Sequence, residues 1–307
     1  MAKSKKSGKK PKTTKPEVKE EKKASEKKVE EKVSTKPEKV EEKKEKVVSE
    51  KKTGAVKKFF AKKYEGTESV LTIFKDKKVY GAILGELFGT MCLSLIVLTL
   101  GLYQPLYMLF VMIALIVAVY KLSGANLNPI NTVGMMATRR MSVIRGVLYI
   151  LAQILGAWIG LLIVNAFIGV SESGIELTGM ATVAEGKYWI VAMLEFFGAS
   201  LVGYFFARAQ QYRRSAVSFA FVAGGGLMIA MVVVYILSYN YFGLSDNFML
   251  NPAISLMYQI LPKTADGVGE LLLGIGKALF MYVLFPMIGG TVGFYISDLS
   301  SMLAEEK

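Results

Sequence analysis

The chain has 307 residues, 52% apolar and only 21% charged, with a mean hydropathy of +0.39. Its net charge of +13 lies entirely within residues 1–78, while residues 79–307 balance to zero. A basic tail on a neutral apolar body excludes a single soluble globule, and the lack of histidine excludes histidine-based triads, metal sites and proton shuttles.

The first predicted element is the tail. Residues 1–52 are Lys, Glu, Ser, Thr, Pro and Val nearly throughout, with no aromatic. Such a segment buries too little apolar surface to offset chain entropy, which predicts disorder. Further on, Lys57, Lys58, Lys62 and Lys63 interleave with Phe59, Phe60 and Tyr64. Two readings fit: a juxtamembrane segment on anionic lipid, each Lys contributing about 1 kcal/mol, or a solvated spacer. Glu alternates with Lys and blunts the field that nucleic acid requires, so no nucleic-acid partner is expected. Residues 1–78 are expected to form a disordered cytoplasmic tail and juxtamembrane segment.

Six apolar stretches follow, near 81–100, 105–120, 146–170, 188–207, 215–237 and 271–296. A helix crosses the hydrocarbon core in roughly 17–25 residues, and only the second stretch is short on its apolar residues alone. None carries the alternation of a β-barrel, so the expected class is an all-α membrane protein. All six arginines lie in two loops: Arg139, Arg140 and Arg145 after the second stretch, and Arg208, Arg213 and Arg214 after the fourth. The opposite loops hold only Lys187 and Lys263. This bias predicts a multi-pass protein of the cell membrane with both termini cytoplasmic, residues 301–307 being a short C-terminal tail.

The body repeats itself. Glu86-Leu87-Phe88-Gly89 in the first stretch matches Glu195-Phe196-Phe197-Gly198 in the fourth. Leu127-Asn128-Pro129 after the second matches Leu250-Asn251-Pro252 after the fifth. Three spans per copy give the copies opposite topology, which places functional sites near the bilayer midplane. Asn is a strong N-cap and Pro suits the first helical position. Short helices are therefore expected near 129–138 and 252–260, each about half a membrane long. If they meet at the midplane, their Asn side chains offer N–H donors to a solute, and their N-termini oppose cations and protons. Glu86 and Glu195 are mid-span acids, costing roughly 2.5–3.5 kcal/mol on insertion scales, and need partners. They carry a coupled ion, or they accept hydrogen bonds from the backbone of the re-entrant loops. Cys92, the only cysteine, is read as inert packing.

These motifs resemble the aquaporin and glycerol-facilitator family, the major intrinsic proteins. The resemblance covers residues 79–300 and extends to Ala152-Gln153-x-x-Gly156 and Pro286-x-x-Gly289-x-x-x-Gly293. It implies six full helices plus two re-entrant half-helices in an inverted repeat, arranged around a pore, and a homotetramer. It assigns Asn128, Pro129, Ile130, Asn251, Pro252 and Ala253 to the half-helix motifs. It favours a loop-supporting role for Glu86 and Glu195. Ile130 stands where the family usually has Ala, which adds bulk near the half-helix contact. Ile254 stands where it usually has an arginine, which removes a fixed cation and five donors. Counting along the family pattern puts Met108, Phe248 and Ile254 at the outer constriction, with Val233 or Tyr239 from the fifth span. Ser255 stands where glycerol facilitators usually have Asp.

The expected function is a passive channel for water or small uncharged solutes, such as glycerol-like polyols or protonated short acids, with an apolar constriction. An ion-coupled secondary transporter on inverted repeats and a non-conducting membrane anchor are the competing readings. No enzyme activity, catalytic residue, metal or cofactor is expected. The expected partners are the lipid bilayer and small neutral solutes.

Overall fold

The computed structural model describes residues 70–100, 104–170, 186–244, 248–259 and 267–305. The reading of residues 1–69 as a tail lies outside these. Six helices are long and apolar enough to cross a membrane. Span 1 is Lys77–Leu100, span 2 Pro105–Ser123, span 3 Val143–Val170, span 4 Tyr188–Ala209 and span 5 Ala216–Leu237. Span 6 joins Val268–Leu279 to Phe285–Glu305. Every regular element among the described residues is helical. That is the way to pair the backbone of each segment internally when lipid supplies no partners.

Local chemistry sets the boundaries. Span 2 outruns its apolar stretch. Pro105 opens it in the first turn, and Gly124, left-handed at φ 85°, closes it by donating its N–H to Tyr120 O. The exposed Lys121 sits in its last turn, where the negative end of the helix dipole favours a cation. Span 5 opens on Ser215, whose side chain accepts from Ser218 N. Within span 6 the turn Phe280–Leu284 widens to a π-helix. Pro286 stands two residues past its end. It has no N–H for the carbonyl of Tyr282, so regular α-helix cannot continue through this point.

Between the spans lie two short helices, Pro129–Ala137 and Pro252–Tyr258. They are slightly shorter than the sequence suggested, because Thr138 and Gln259 close them; residue 260 lies outside the described residues. The first half-helix packs on spans 3 and 6, the second on span 3 and the wide turn of span 6, and the two touch each other.

Spans 1 and 3 pack against each other, as do spans 4 and 6 in the second repeat. A Cβ on Gly156 would overlap the carbonyl of Leu87, and one on Gly289 would overlap that of Phe196. Leu87 and Phe196 each follow the glutamate of their repeat. The same close backbone approach therefore fixes both glutamate-bearing helices. Gly225 has open space at its Cβ position. Gly289→Ala should lower stability by about 1–3 kcal/mol through overpacking, whereas Gly225→Ala should be neutral or raise it by up to about 1 kcal/mol. Thermal unfolding of both variants in detergent checks this contrast.

Candidate functional site

Each re-entrant loop brings irregular backbone to the middle of the protein, and each glutamate satisfies part of it. Glu86 is fully buried. Its Oε1 accepts from Asn126 N (2.9 Å), and its Oε2 accepts from Leu127 N (2.7 Å) and Gln153 Nε2 (2.7 Å). Glu195, also fully buried, accepts from Met249 N (2.7 Å) and Leu250 N (3.2 Å). In both repeats the donors are the two residues just before the Asn-Pro pair. The glycine three places after each glutamate completes the arrangement. A Cβ on Gly89 would overlap the side chain of Leu127, and one on Gly198 would crowd that of Leu250. The glutamate holds the backbone of this leucine, and the glycine one turn on makes room for its side chain. Both leucines are left-handed, with φ of 52° and 47°, a conformation that costs roughly 1–2 kcal/mol per residue. The buried hydrogen bonds hold them there.

The asparagines interlock. Asn128 Oδ1 accepts from Ile130 N (2.9 Å), and Asn251 Oδ1 accepts from Ala253 N (3.1 Å). Asn128 Nδ2 donates to Leu250 O (2.7 Å), and Asn251 Nδ2 donates to Leu127 O (3.1 Å). Each asparagine thus caps its own half-helix and ties down the opposite loop. An amide nitrogen has two hydrogens. One is used in this exchange, which leaves the other available, and both asparagines line the space between the loops. Pro129 and Pro252 occupy the first helical turns, and both are buried.

That space is a cavity of about 20 Å³ touching both Asn128 and Asn251. Its volume suits about one water molecule. The remaining lining is aliphatic: Leu93 and Val97 from span 1, Met108 and Met112 from span 2, Leu227 from span 5, and Met249, Leu250 and Ile254 around the second loop. Met108 and Ile254 therefore face the cavity together. Phe248 lies elsewhere and packs against the cluster of Val191, Ala192, Met281 and Tyr282. Val233 is half-buried and outside the lining, and Tyr239 is exposed, stacked on Tyr235 with ring centroids 5.7 Å apart. The residue of span 5 that lines this cavity is Leu227, which the sequence reading did not name. Met112 was missed as well, although it lies one helical turn from Met108 on the same face. Ile130 is fully buried in the first half-helix. Its side chain fills the space that Gly290 of span 6 leaves open.

The sequence profile of the major intrinsic protein family matches residues 73–297. The chain belongs to the major intrinsic protein family. The X-ray structure of the aquaglyceroporin from Plasmodium falciparum is similar in fold, with a TM-score of 0.54 and 17% identity. The match covers 75% of this chain and 100% of that one. Comparison with curated proteins gave no match. Major intrinsic proteins are channels for water or small solutes, not enzymes, and this one is a multi-pass membrane protein.

The two glutamates of this major intrinsic protein carry unequal loads. Gln153 gives Glu86 a third donor, and Pro286 stands at the equivalent place beside Gly289. In Glu86→Gln one oxygen becomes an NH₂ facing buried donors, so at least one N–H loses its partner, costing about 1–3 kcal/mol. In Glu195→Gln a single oxygen can still accept from both Met249 N and Leu250 N, as Glu195 Oε1 already does at 2.7 and 3.4 Å. Thermal unfolding in detergent should place Glu86→Gln below Glu195→Gln, and the reverse order would refute this assignment of loads.

Proposed function

We propose that the protein is a passive channel for water and small uncharged solutes, including glycerol-like polyols and protonated short acids. The observation that carries this reading is the small cavity between two interlocked Asn-Pro half-helices. Two amide donors face a solute there, and nearly everything else around it is aliphatic. A polar solute exchanges water for these amides on one side only. On the aliphatic side each unmatched polar group costs about 1–3 kcal/mol. Partly apolar solutes are penalised less. The half-helix N-termini converge on the same point and disfavour cations and protons.

The glutamates speak against an ion-coupled transporter. The oxygens of Glu86 and Glu195 are already engaged with loop N–H groups, so their role is structural. The narrowness of the cavity is shared with a non-conducting anchor, and flux measurements separate the two. We further propose a homotetramer in the cell membrane with both termini cytoplasmic. Arg140 and Arg145 line the same cavity as Arg213 and Arg214. Loops separated by two spans therefore meet on one face, in keeping with the positive-inside rule. Residues 1–78 serve as a tail and 79–300 as the channel, and deleting residues 1–52 should leave conduction intact.

The test is stopped-flow light scattering on proteoliposomes with water, glycerol, urea and lactic acid. Facilitated flux without an ion gradient supports the channel, ion-driven accumulation supports a transporter, and no flux from folded tetramers supports the anchor. Two variants locate the constriction. Ile254→Arg puts a long cation and five donors against Met108 and should lower the glycerol-to-water permeability ratio. Met112→Ala removes bulk from the same cavity and should raise glycerol flux. An unchanged ratio in both, with both proteins conducting, would place the narrowest part elsewhere.

A further inference from the structure

A vestibule of about 780 Å³ lies on the face carrying the arginine loops. Five cations line it, Lys78, Arg140, Arg145, Arg213 and Arg214, against a single acid, Asp76. Positive-inside bias accounts for basic residues on this face but not for their convergence on one concavity from three parts of the chain. The cations differ in what already holds them. Arg140 pairs with Asp298 and lies over the Phe294 ring at 5.4 Å. Arg213 and Arg214 are exposed, and among the described residues their guanidinium groups have no hydrogen-bond or ion-pair partner. Tyr120 OH, itself in the wall, donates to the backbone carbonyl of Arg213 at 2.8 Å and fixes where that arginine stands. Asn126 and Gly124, at the start of the first re-entrant loop, form part of the wall.

Guanidinium groups match phosphate oxygens in pairs, and a concavity of this size falls in the usual range for small-molecule sites. We propose that this vestibule binds a small phosphate-bearing anion, with Arg213 and Arg214 as its principal contacts and Lys78 beside them. The shared ligand chemistry is that of a phosphate group, carried by a soluble metabolite or by a lipid headgroup. The inference does not depend on conduction, because binding is read in solution.

Full-length protein in detergent is titrated calorimetrically with glycerol 3-phosphate, inorganic phosphate and glycerol. The expected result is saturable binding of both phosphate-bearing probes, and a heat lost in the double variant R213Q/R214Q. Each lost hydrogen bond to a charged group should weaken binding about tenfold or more. K121Q removes an exposed cation near this face but outside the lining, and should change affinity by less than about twofold. Arg213 and Arg214 support no other side chain, so the double variant should fold, as its unfolding temperature will report. Repeating the titration with phosphatidylglycerol added to phosphatidylcholine micelles separates the sources. Competition supports a lipid headgroup at this site, and undisturbed binding supports a soluble ester. The proposal is overturned if neither phosphate-bearing probe saturates, or if K121Q weakens binding as much as R213Q/R214Q does.

Discussion

The structure depends on satisfying irregular backbone at the centre of a membrane protein. Lipid offers no hydrogen bonds, so a chain that stops being helical at mid-depth must find every partner within the protein. Here two carboxyl groups and two amides do most of this. Glu86 and Glu195 take the N–H groups that precede each Asn-Pro pair, and Asn128 and Asn251 take the carbonyls across the centre. The cost of burying two acids is offset by removing the larger cost of several orphaned backbone groups. Once both loops are fixed, the half-helices can meet, and the space between them becomes a defined polar point in an aliphatic surround.

Much of this was legible in the sequence because each requirement needs a particular residue type. Only a residue that caps and donates serves where Asn128 and Asn251 stand. Only a glycine admits Leu127 or Leu250 one turn above the glutamate. These demands recur in both repeats, so the pairing of the motifs carried the fold. The cavity lining was far less legible. Spans 2 and 5 are apolar around most of their circumference, and a helix with no polar face gives no signal of which side looks inward. Counting along the family pattern named Met108 and Ile254, which line this cavity, but not Met112 or Leu227, while Phe248, which it set at the outer constriction, packs with Val191 and Tyr282. Compensation at a distance was equally hidden. The extra bulk of Ile130 is absorbed by Gly290, far along the chain in span 6.

The frame is nearly two-fold, but its contents are not. Three residues after each Asn of the Asn-Pro pair stand Asn131 in one repeat and Ile254 in the other. Asn131 Nδ2 donates to Asn126 O at 2.9 Å, and Thr132 Oγ1 accepts from both Asn126 and Gln153. The first loop is thus braced by a polar network on the side away from the cavity. The second loop has Ile254 at the matching place, buried and facing the cavity, with no hydrogen bond to offer. Its backbone relies on Glu195, on Asn128 from the other repeat and on the packing of Phe248. The second loop therefore has fewer polar braces than the first, although both repeats line the cavity. Divergence is tolerated at Ile254 because the interlocked asparagines already fix the meeting point of the half-helices. The side chain beside that point holds neither loop, whereas the two glutamates and the two asparagines hold both.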